Sequence, residues 1–273
     1  MPSKQINSVL ERNNVKVLGT GTQPILFAHG YGCDQNMWRF VYPEFTKDYK
    51  VILFDHVGAG HSDHNSYSRE KYDDLLGYAA DILEICEELD LKDVILVAHS
   101  VSSMIAALAA NLEPSRFAKL VMIGPSARYI NDKDYVGGFN KEDIDDLMEA
   151  LDSNYLGWST NMAPAIMGNP EKPELGEELT NSFCQTNPEI AKHFARVTFL
   201  SDNRKDIKKV VVPTLVLQCS QDIIAPVAVG QYIHDNLQNS ELQILNATGH
   251  CPNLSAPEET TLAIKKYLAS TTS

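Results

Sequence analysis

Residues 94–110, VILVAHSVSSMIAALAA, contain the pattern that decides the fold. The stretch begins as an apolar run rich in β-branched residues and continues as an apolar run rich in alanine. It therefore predicts a buried strand followed directly by a buried helix. His99 and Ser100 interrupt the apolar pattern at the junction. A serine on a sharp turn between a strand and a helix is typical of a nucleophile elbow, which presents a reactive hydroxyl.

The residues on either side of Ser100 depart from the usual elbow sequence, G-x-S-x-G. Ala98 and Ser102 stand in place of the two glycines. Both side chains are small, so the backbones of the strand and the helix can still approach closely. The alternative interpretation is a buried serine whose hydroxyl donates to a backbone carbonyl.

Five further apolar runs have the same character as the first part of this stretch. They are nearly continuous in apolar residues, which is typical of strands buried on both faces of a parallel sheet. Helical patterns occur at 71–90, 100–112 and 257–269. The alternation predicts an α/β fold with a mostly parallel central sheet and helices on both faces. The five runs cover residues 24–30, 51–60, 120–126, 214–222 and 242–250.

The alternation stops between about residues 126 and 210, where helical segments replace the strands. These segments cover residues 140–155, 169–184 and 187–202, and Asn140 and Asn187 are predicted N-caps. Ligands of open α/β sheets bind at the carboxyl ends of the strands. A helical insertion between two strands is therefore well placed to cover a pocket.

Two more polar residues follow predicted strands. Asp222 comes after the run TLVLQ, and His250 lies in a Gly/Pro loop before the last helix. Each residue alone has a plain structural interpretation, a turn aspartate and a structural histidine. The chain order Ser100, Asp222, His250, however, is the order of the α/β Ser-Asp-His triads. In such a triad histidine takes the serine proton, and aspartate holds the imidazole in the right tautomer.

Attack on a carbonyl also requires donors for the oxyanion. The stretch AHGYGCDQNMW, residues 28–38, supplies a His-Gly turn after an early strand. The backbone N–H groups of Tyr31 and Val101 are the predicted donors. His29 is predicted to be a structural hydrogen-bonding residue.

Composition excludes several classes of function. The net charge is −13, which argues against nucleic-acid binding. The polar N-terminal stretch MPSKQINSVLERNN predicts no signal peptide, and no apolar run is long enough to cross a membrane.

The odd number of cysteines, without a C-x-x-C pair, predicts reduced thiols in the cytoplasm. No nucleotide-binding glycine motif is complete, and HSDH (61–64) lacks a further ligand, so neither cofactor nor metal is expected.

Four stretches point to a family: HGYGCDQNMW (29–38), HSVSSMIAALAA (99–110), ARYINDKDYVGGF (127–139) and GHCPNLSAPE (249–258). They resemble the RsbQ-like α/β-hydrolases, which include a bacterial stress regulator and the plant karrikin and strigolactone receptors. The resemblance implies an α/β-hydrolase core over residues 1–125 and 203–273. It also implies a four-helix lid over residues 126–202.

The resemblance further implies an apolar pocket under the lid. Tyr31 and Met162 occupy positions where relatives often have phenylalanine, and Ala98 replaces a family glycine. Some of the aromatic residues could instead pack the lid helices together. The residues implied to line the pocket are Tyr31, Tyr129, Phe139, Trp158, Met162 and Phe199.

Two functions from different classes follow. The first is a serine hydrolase that cleaves a small, largely apolar ester or lactone through an acyl-enzyme on Ser100. The second, implied by the resemblance, is a signalling protein that binds such a ligand and activates a phosphatase containing a PAS domain. C–C bond hydrolases and lyases share the triad and stay open. The resemblance implies a monomer.

Overall fold

A seven-stranded sheet forms the centre of the protein. The structure is a computed structural model and describes residues 8–270. The spatial order is β1-β3-β2-β4-β5-β6-β7. β1 is antiparallel to β3, and the other neighbours are parallel. The strands are β1 (Lys16–Leu18), β2 (Pro24–Ala28), β3 (Lys50–Leu53), β4 (Val94–His99), β5 (Phe117–Ile123), β6 (Thr214–Gln221) and β7 (Ser240–Thr248).

All six predicted strands are confirmed, and together they give the mostly parallel sheet. β2 and β4 are buried along their whole length, as their continuous apolar sequences predict. The sequence analysis missed β1, which has three exposed residues at the edge of the sheet. So short and solvated a strand carries neither alternation nor a continuous apolar run, and its pairing with β3 defines it instead.

Helices cover both faces of this sheet. The predicted helices at 71–90, 100–112 and 257–269 are confirmed as α2, α3 and α11, whereas the sequence analysis missed α9. None of the helices within residues 8–270 is long and apolar enough to cross a lipid bilayer. The helices outside the β5–β6 connection are α1 (Val9–Arg12), α2 (Leu75–Glu88), α3 (Val101–Leu112), α9 (Val227–Asn236), α10 (Pro252–Ser255) and α11 (Pro257–Ala269).

The connection from β5 to β6 contains four helices of similar length, which we call the helical insert, and the short α8 (Arg204–Ile207). Asn140 and Asn187 are N-caps as predicted: the Asn140 N–H donates to Asp143, and Asn187 Oδ1 accepts from the Glu189 N–H. The helices of the insert are α4 (Lys141–Ser153), α5 (Tyr155–Met167), α6 (Pro173–Gln185) and α7 (Pro188–Phe199).

The residue pattern did not reveal α5. It contains Pro164, and its apolar residues lie around the helix instead of on one face. Because it packs against α6 on one side and the core on others, α5 has no continuous polar face. The resemblance to the RsbQ-like α/β-hydrolases implies four helices in this segment, and the structure has four long helices there, including α5.

Candidate active site

Ser100 occupies a strained turn between β4 and α3. Its φ of 57° and ψ of −126° are unusual for a residue with a side chain. The Ser100 N–H donates to Ile123 O at 2.8 Å, and the Ser103 N–H donates to Ser100 O at 2.9 Å. Ala98 and Ser102 are both fully buried where strand and helix meet. The predicted sharp turn is confirmed, and two small residues other than glycine satisfy its steric requirement.

Three side chains from distant parts of the sequence meet at this turn. His250 Nε2 lies 2.7 Å from Ser100 Oγ, and His250 Nδ1 lies 2.6 Å from Asp222 Oδ2. Since the Asp222 carboxylate only accepts, Nδ1–H donates to it, and Nε2 is free to accept the serine proton. All three side chains are buried. The structure therefore brings Ser100, His250 and Asp222 into one hydrogen-bonded chain.

The second oxygen of Asp222 is also fixed. Oδ1 accepts the backbone N–H groups of Ile224 at 2.8 Å and of Ala225 at 3.1 Å. Burial alone would raise the pKa of Asp222, but the attraction of His250 and these hydrogen bonds outweigh it and hold the pKa below its usual range. The carboxylate therefore stays ionised at neutral pH. Because the pKa is depressed in the folded state, this contribution to stability is present above about pH 4 and is lost as the pH falls through the folded-state pKa.

His99 and Gly124 support His250 from two sides. His99 Nε2–H donates to the His250 carbonyl oxygen at 2.7 Å. A Cβ on Gly124, whose φ is +57°, would lie 3.2 Å from His250 Cε1. Burial and the nearby His250 lower the pKa of His99 to about 3. His99 is therefore neutral and acts as a fixed donor to the backbone that carries His250.

The depressed pKa of His99 predicts how stability depends on pH. Unfolding returns the ring to a pKa of about 6.5, so between that pH and about 3 the unfolded state binds the extra proton. The free energy of unfolding should therefore fall as the pH drops through this range. His99→Gln keeps an N–H donor without a titrating ring. Urea unfolding should show a slope between about pH 6 and about pH 4 that is shallower in the variant by about 1.4 kcal/mol per pH unit. Equal slopes for the two proteins would contradict this.

The turn that carries Tyr31 lies against Ser100. A Cβ on Gly30 would come within 3.2 Å of Ser100 Cβ and 2.6 Å of His99 Nδ1, so only glycine permits this approach. Across residues 8–270, the backbone N–H groups of Tyr31 and Val101 have no hydrogen-bond acceptor. Val101 is also the first residue of α3, where the helix dipole favours negative charge. These properties suit an oxyanion site, which stays a prediction.

A cavity of about 30 Å³ opens beside Ser100. Of the six residues expected to line a pocket, Tyr31, Tyr129 and Phe199 form part of its wall. Trp158 lies behind the wall, where its ring stacks on Phe183 at 5.7 Å. Phe139 and Met162 pack half-buried against the core. Contact of Trp158, Phe139 and Met162 with a ligand stays a prediction.

Sequence reasoning missed several residues of the cavity wall. Leu179 and Phe183 come from α6, Ile166 from α5 and Thr198 from α7. Only the packing of the insert on the core brings them together, so no local pattern could have identified them. The wall is completed by Cys33, His99, Ile224 and Cys251.

No metal or disulfide forms part of the described site. Residues 8–270 contain no cluster of three or more His, Cys, Asp or Glu side chains suited to a metal ion. The cysteines of this part of the chain are all free thiols, and most are buried.

A serine on a strained strand-to-helix turn, joined to histidine and aspartate beside a parallel sheet, defines the class of α/β proteins with a nucleophile elbow. The chain belongs to the α/β-hydrolase family: the family model described as alpha/beta hydrolase fold matches residues 23–257. The predicted fold is thereby confirmed.

Individual relatives narrow this comparison. The chain is 39% identical to Karrikin insensitive 2 receptor CA from Petunia hybrida, over 92% of this chain and 93% of the relative. It is 35% identical to Strigolactone esterase D14 from Arabidopsis thaliana, over 96% and 98%. A solved hydrolase from Oleispira antarctica is 42% identical with a TM-score of 0.94, over 96% and 97%. These relatives support hydrolase activity and confirm the resemblance to the plant receptors, whereas the RsbQ branch stays a prediction.

Proposed function

We propose that the protein is a serine hydrolase that cleaves a small, largely apolar ester or lactone through an acyl-enzyme on Ser100. The observation that carries this proposal is the hydrogen-bonded chain of Ser100, His250 and Asp222 beside an apolar cavity. Hydrolases and esterases among the similar proteins support the same reaction class.

The geometry supports a two-step reaction. Ser100 Oγ attacks the ester carbonyl while its proton passes to His250 Nε2, and the negative charge forms on the carbonyl oxygen near the N–H groups of Tyr31 and Val101. The carbon–oxygen bond to the alcohol then breaks, and His250 returns the proton to the leaving oxygen. Water attacks the acyl-enzyme in the same way, its proton passing through His250 to Ser100 Oγ. The products are the alcohol and the acid, or one hydroxy acid from a lactone.

The size of the cavity bears on substrate entry. Pockets for small ligands usually measure about 300–1,000 Å³. The cavity beside Ser100, at about 30 Å³, is far smaller. Residues of α5, α6 and α7 form one side of the wall. We therefore propose that residues 126–202, which contain the helical insert, act as a lid that moves outward before a substrate can bind.

Thr198 narrows the substrate class. It lines the cavity and is 1% exposed, and its hydroxyl has no hydrogen-bond partner among residues 8–270. A buried hydroxyl without a partner destabilises the fold by about 1–3 kcal/mol. The hydroxyl is therefore suited to bind a second oxygen of the substrate, outside the ester group that reacts.

Thr198→Val tests this substrate class, because valine has nearly the same shape without the hydroxyl. We expect kcat/KM to fall about tenfold for esters with an additional hydroxyl or ether oxygen and to stay within about twofold for plain alkyl esters. The melting temperature should rise, since a buried unpaired hydroxyl is lost. A parallel loss for both kinds of ester would contradict the assignment.

A panel of p-nitrophenyl esters and lactones, combined with intact-protein mass spectrometry, tests the proposed hydrolase. Turnover should accompany an acyl adduct, and tandem mass spectrometry should locate the adduct at Ser100. If a fluorophosphonate labels no serine and no ester is turned over, the proposal is wrong.

A second function deserves a test because similar proteins carry the names karrikin receptor and strigolactone esterase. In this alternative, ligand binding and slow hydrolysis change the position of the lid and thereby the affinity for a protein partner. The partner predicted from the resemblance is a phosphatase containing a PAS domain. Binding of that phosphatase in the presence of a lactone, and its absence with Ser100→Ala, would favour the receptor function.

A further inference from the structure

A closed hydrogen-bond network lies behind the elbow, among residues that do not line the cavity. Ser102 Oγ lies 2.5 Å from the His29 carbonyl oxygen and 2.8 Å from His56 Nε2. The His56 backbone N–H donates to His29 Nε2 at 3.0 Å. His29 Nδ1 lies 2.9 Å from the Gly30 carbonyl oxygen. Ser102, His29 and His56 are all at most 1% exposed, so water does not compete for these bonds.

The partners fix every proton in this network. The His29 carbonyl can only accept, so Ser102 Oγ–H donates to it, and the same oxygen accepts from His56 Nε2–H. His29 Nε2 accepts a backbone N–H and therefore carries no proton, so His29 Nδ1–H donates to Gly30 O. Burial and the neighbouring His29 lower the pKa of His56 well below its usual range, which keeps that ring neutral as the network requires.

The bond from His29 to Gly30 O acts on the predicted oxyanion donor. The Gly30 carbonyl and the Tyr31 N–H belong to one planar peptide unit, and no peptide bond in residues 8–270 is cis. In a trans unit the N–H points opposite to the carbonyl. Fixing the carbonyl with His29 Nδ1–H, and with the Cys33 N–H at 3.3 Å, therefore fixes the direction of the Tyr31 N–H.

Ser102 links the adjacent peptide unit, between His29 and Gly30, to the helix that carries the other predicted donor. Ser102 follows Val101 in the first turn of α3, so its position relative to the Val101 N–H is set by the helix. Its hydroxyl binds the carbonyl of His29, the residue before Gly30. One short side chain thus joins the helix that supplies one oxyanion donor to the loop that supplies the other.

We propose that Ser102 and His56 are positioning residues, which hold the N–H groups of Tyr31 and Val101 on one point in front of Ser100. The inference rests on the proposed hydrolase function, because it concerns the oxyanion of that reaction. It also gives a role to the serine that replaces the second glycine of the usual elbow. The Ser102 hydroxyl supplies a bond that a glycine there lacks.

Ser102→Ala tests the proposal, and Ser103→Ala is its matched control. Ser103 is the next residue and equally buried, but its hydroxyl donates to Ala98 O at 3.1 Å and does not touch the loop at residues 29–31. Complete loss of one oxyanion donor lowers kcat about 100- to 1,000-fold, so we expect a smaller loss of about tenfold for a misdirected donor. KM should change less than twofold.

A boronic acid inhibitor provides the second readout. It adds to Ser100 Oγ and forms a tetrahedral adduct, one of whose oxygens lies in the oxyanion site. Its affinity should fall about tenfold in Ser102→Ala and stay within about twofold in Ser103→Ala, in step with kcat. A purely structural role for Ser102 would lower the melting temperature and leave the affinity of the folded variant unchanged.

The outcomes separate the inference from the function on which it rests. If the parent protein turns over esters and Ser102→Ala changes both kcat and boronate affinity less than about threefold relative to Ser103→Ala, the positioning role is wrong. If the alanine variant does not fold, Ser102→Gly, which restores the usual elbow residue, replaces it with the same expected losses and the same criterion. If the parent protein neither turns over esters nor reacts with a fluorophosphonate, the hydrolase function itself is overturned.

Discussion

Ser100→Ala is expected to reduce ester turnover by about 10,000-fold or more, with KM changed less than threefold. The hydroxyl lies 2.7 Å from His250 Nε2, so the variant lacks the nucleophile that this ring would activate. Binding and the oxyanion donors would remain, so a small rate above the uncatalysed reaction should persist. Hydrolysis of a p-nitrophenyl ester measures both rates. Only the variant, which lacks the reactive serine, is treated beforehand with a fluorophosphonate to inactivate contaminating esterases.

A comparison of Ser100→Ala with Ser100→Gly separates chemistry from backbone strain. Both variants lack the hydroxyl, but only alanine keeps a Cβ at a φ of 57°. Glycine should therefore be more stable than alanine by about 1 kcal/mol, although it is as inactive. Retention of more than a hundredth of the parent turnover in either variant would contradict the assignment of Ser100 as the nucleophile.

The sequence contains enough information for the sheet and for the three residues that meet at Ser100. Each of these residues follows an apolar run, and the carboxyl ends of parallel strands meet at one edge of a sheet. The sequence alone therefore predicts that Ser100, Asp222 and His250 lie close together. Strand β1 and helix α5 could not, because pairing and packing define them instead of a periodic pattern.

The cavity wall and the network behind the elbow lie beyond such reasoning for a different physical reason. Leu179, Phe183 and Thr198 lie on helices of the insert whose local patterns indicate only which face is apolar. Ser102 is 73 residues from its acceptor His29 and 46 from His56. A short polar side chain gives no sequence signal for a partner so far away. Such contacts depend on the close approach of two backbones, which only the folded structure defines.

Asp222→Asn is expected to lower kcat about 10,000-fold while leaving the fold intact. The amide has the size of the carboxylate, and its orientation is fixed by the loop. The N–H groups of Ile224 and Ala225 donate to Oδ1, so the amide oxygen must occupy that position. Its NH₂ group then faces His250 Nδ1 and donates to it.

That reversed hydrogen bond explains the size of the expected loss. When Nδ1 accepts, the neutral ring carries its proton on Nε2, and Nε2 can no longer accept the proton of Ser100. The negative charge that stabilises the imidazolium is lost as well. Proton NMR of the parent protein should show the downfield resonance of an Nδ1–H bound to a carboxylate, and the variant should lack it. If the variant retained a tenth of the parent turnover, Asp222 would not set the tautomer of His250, and its bond of 2.6 Å to that ring would be structural.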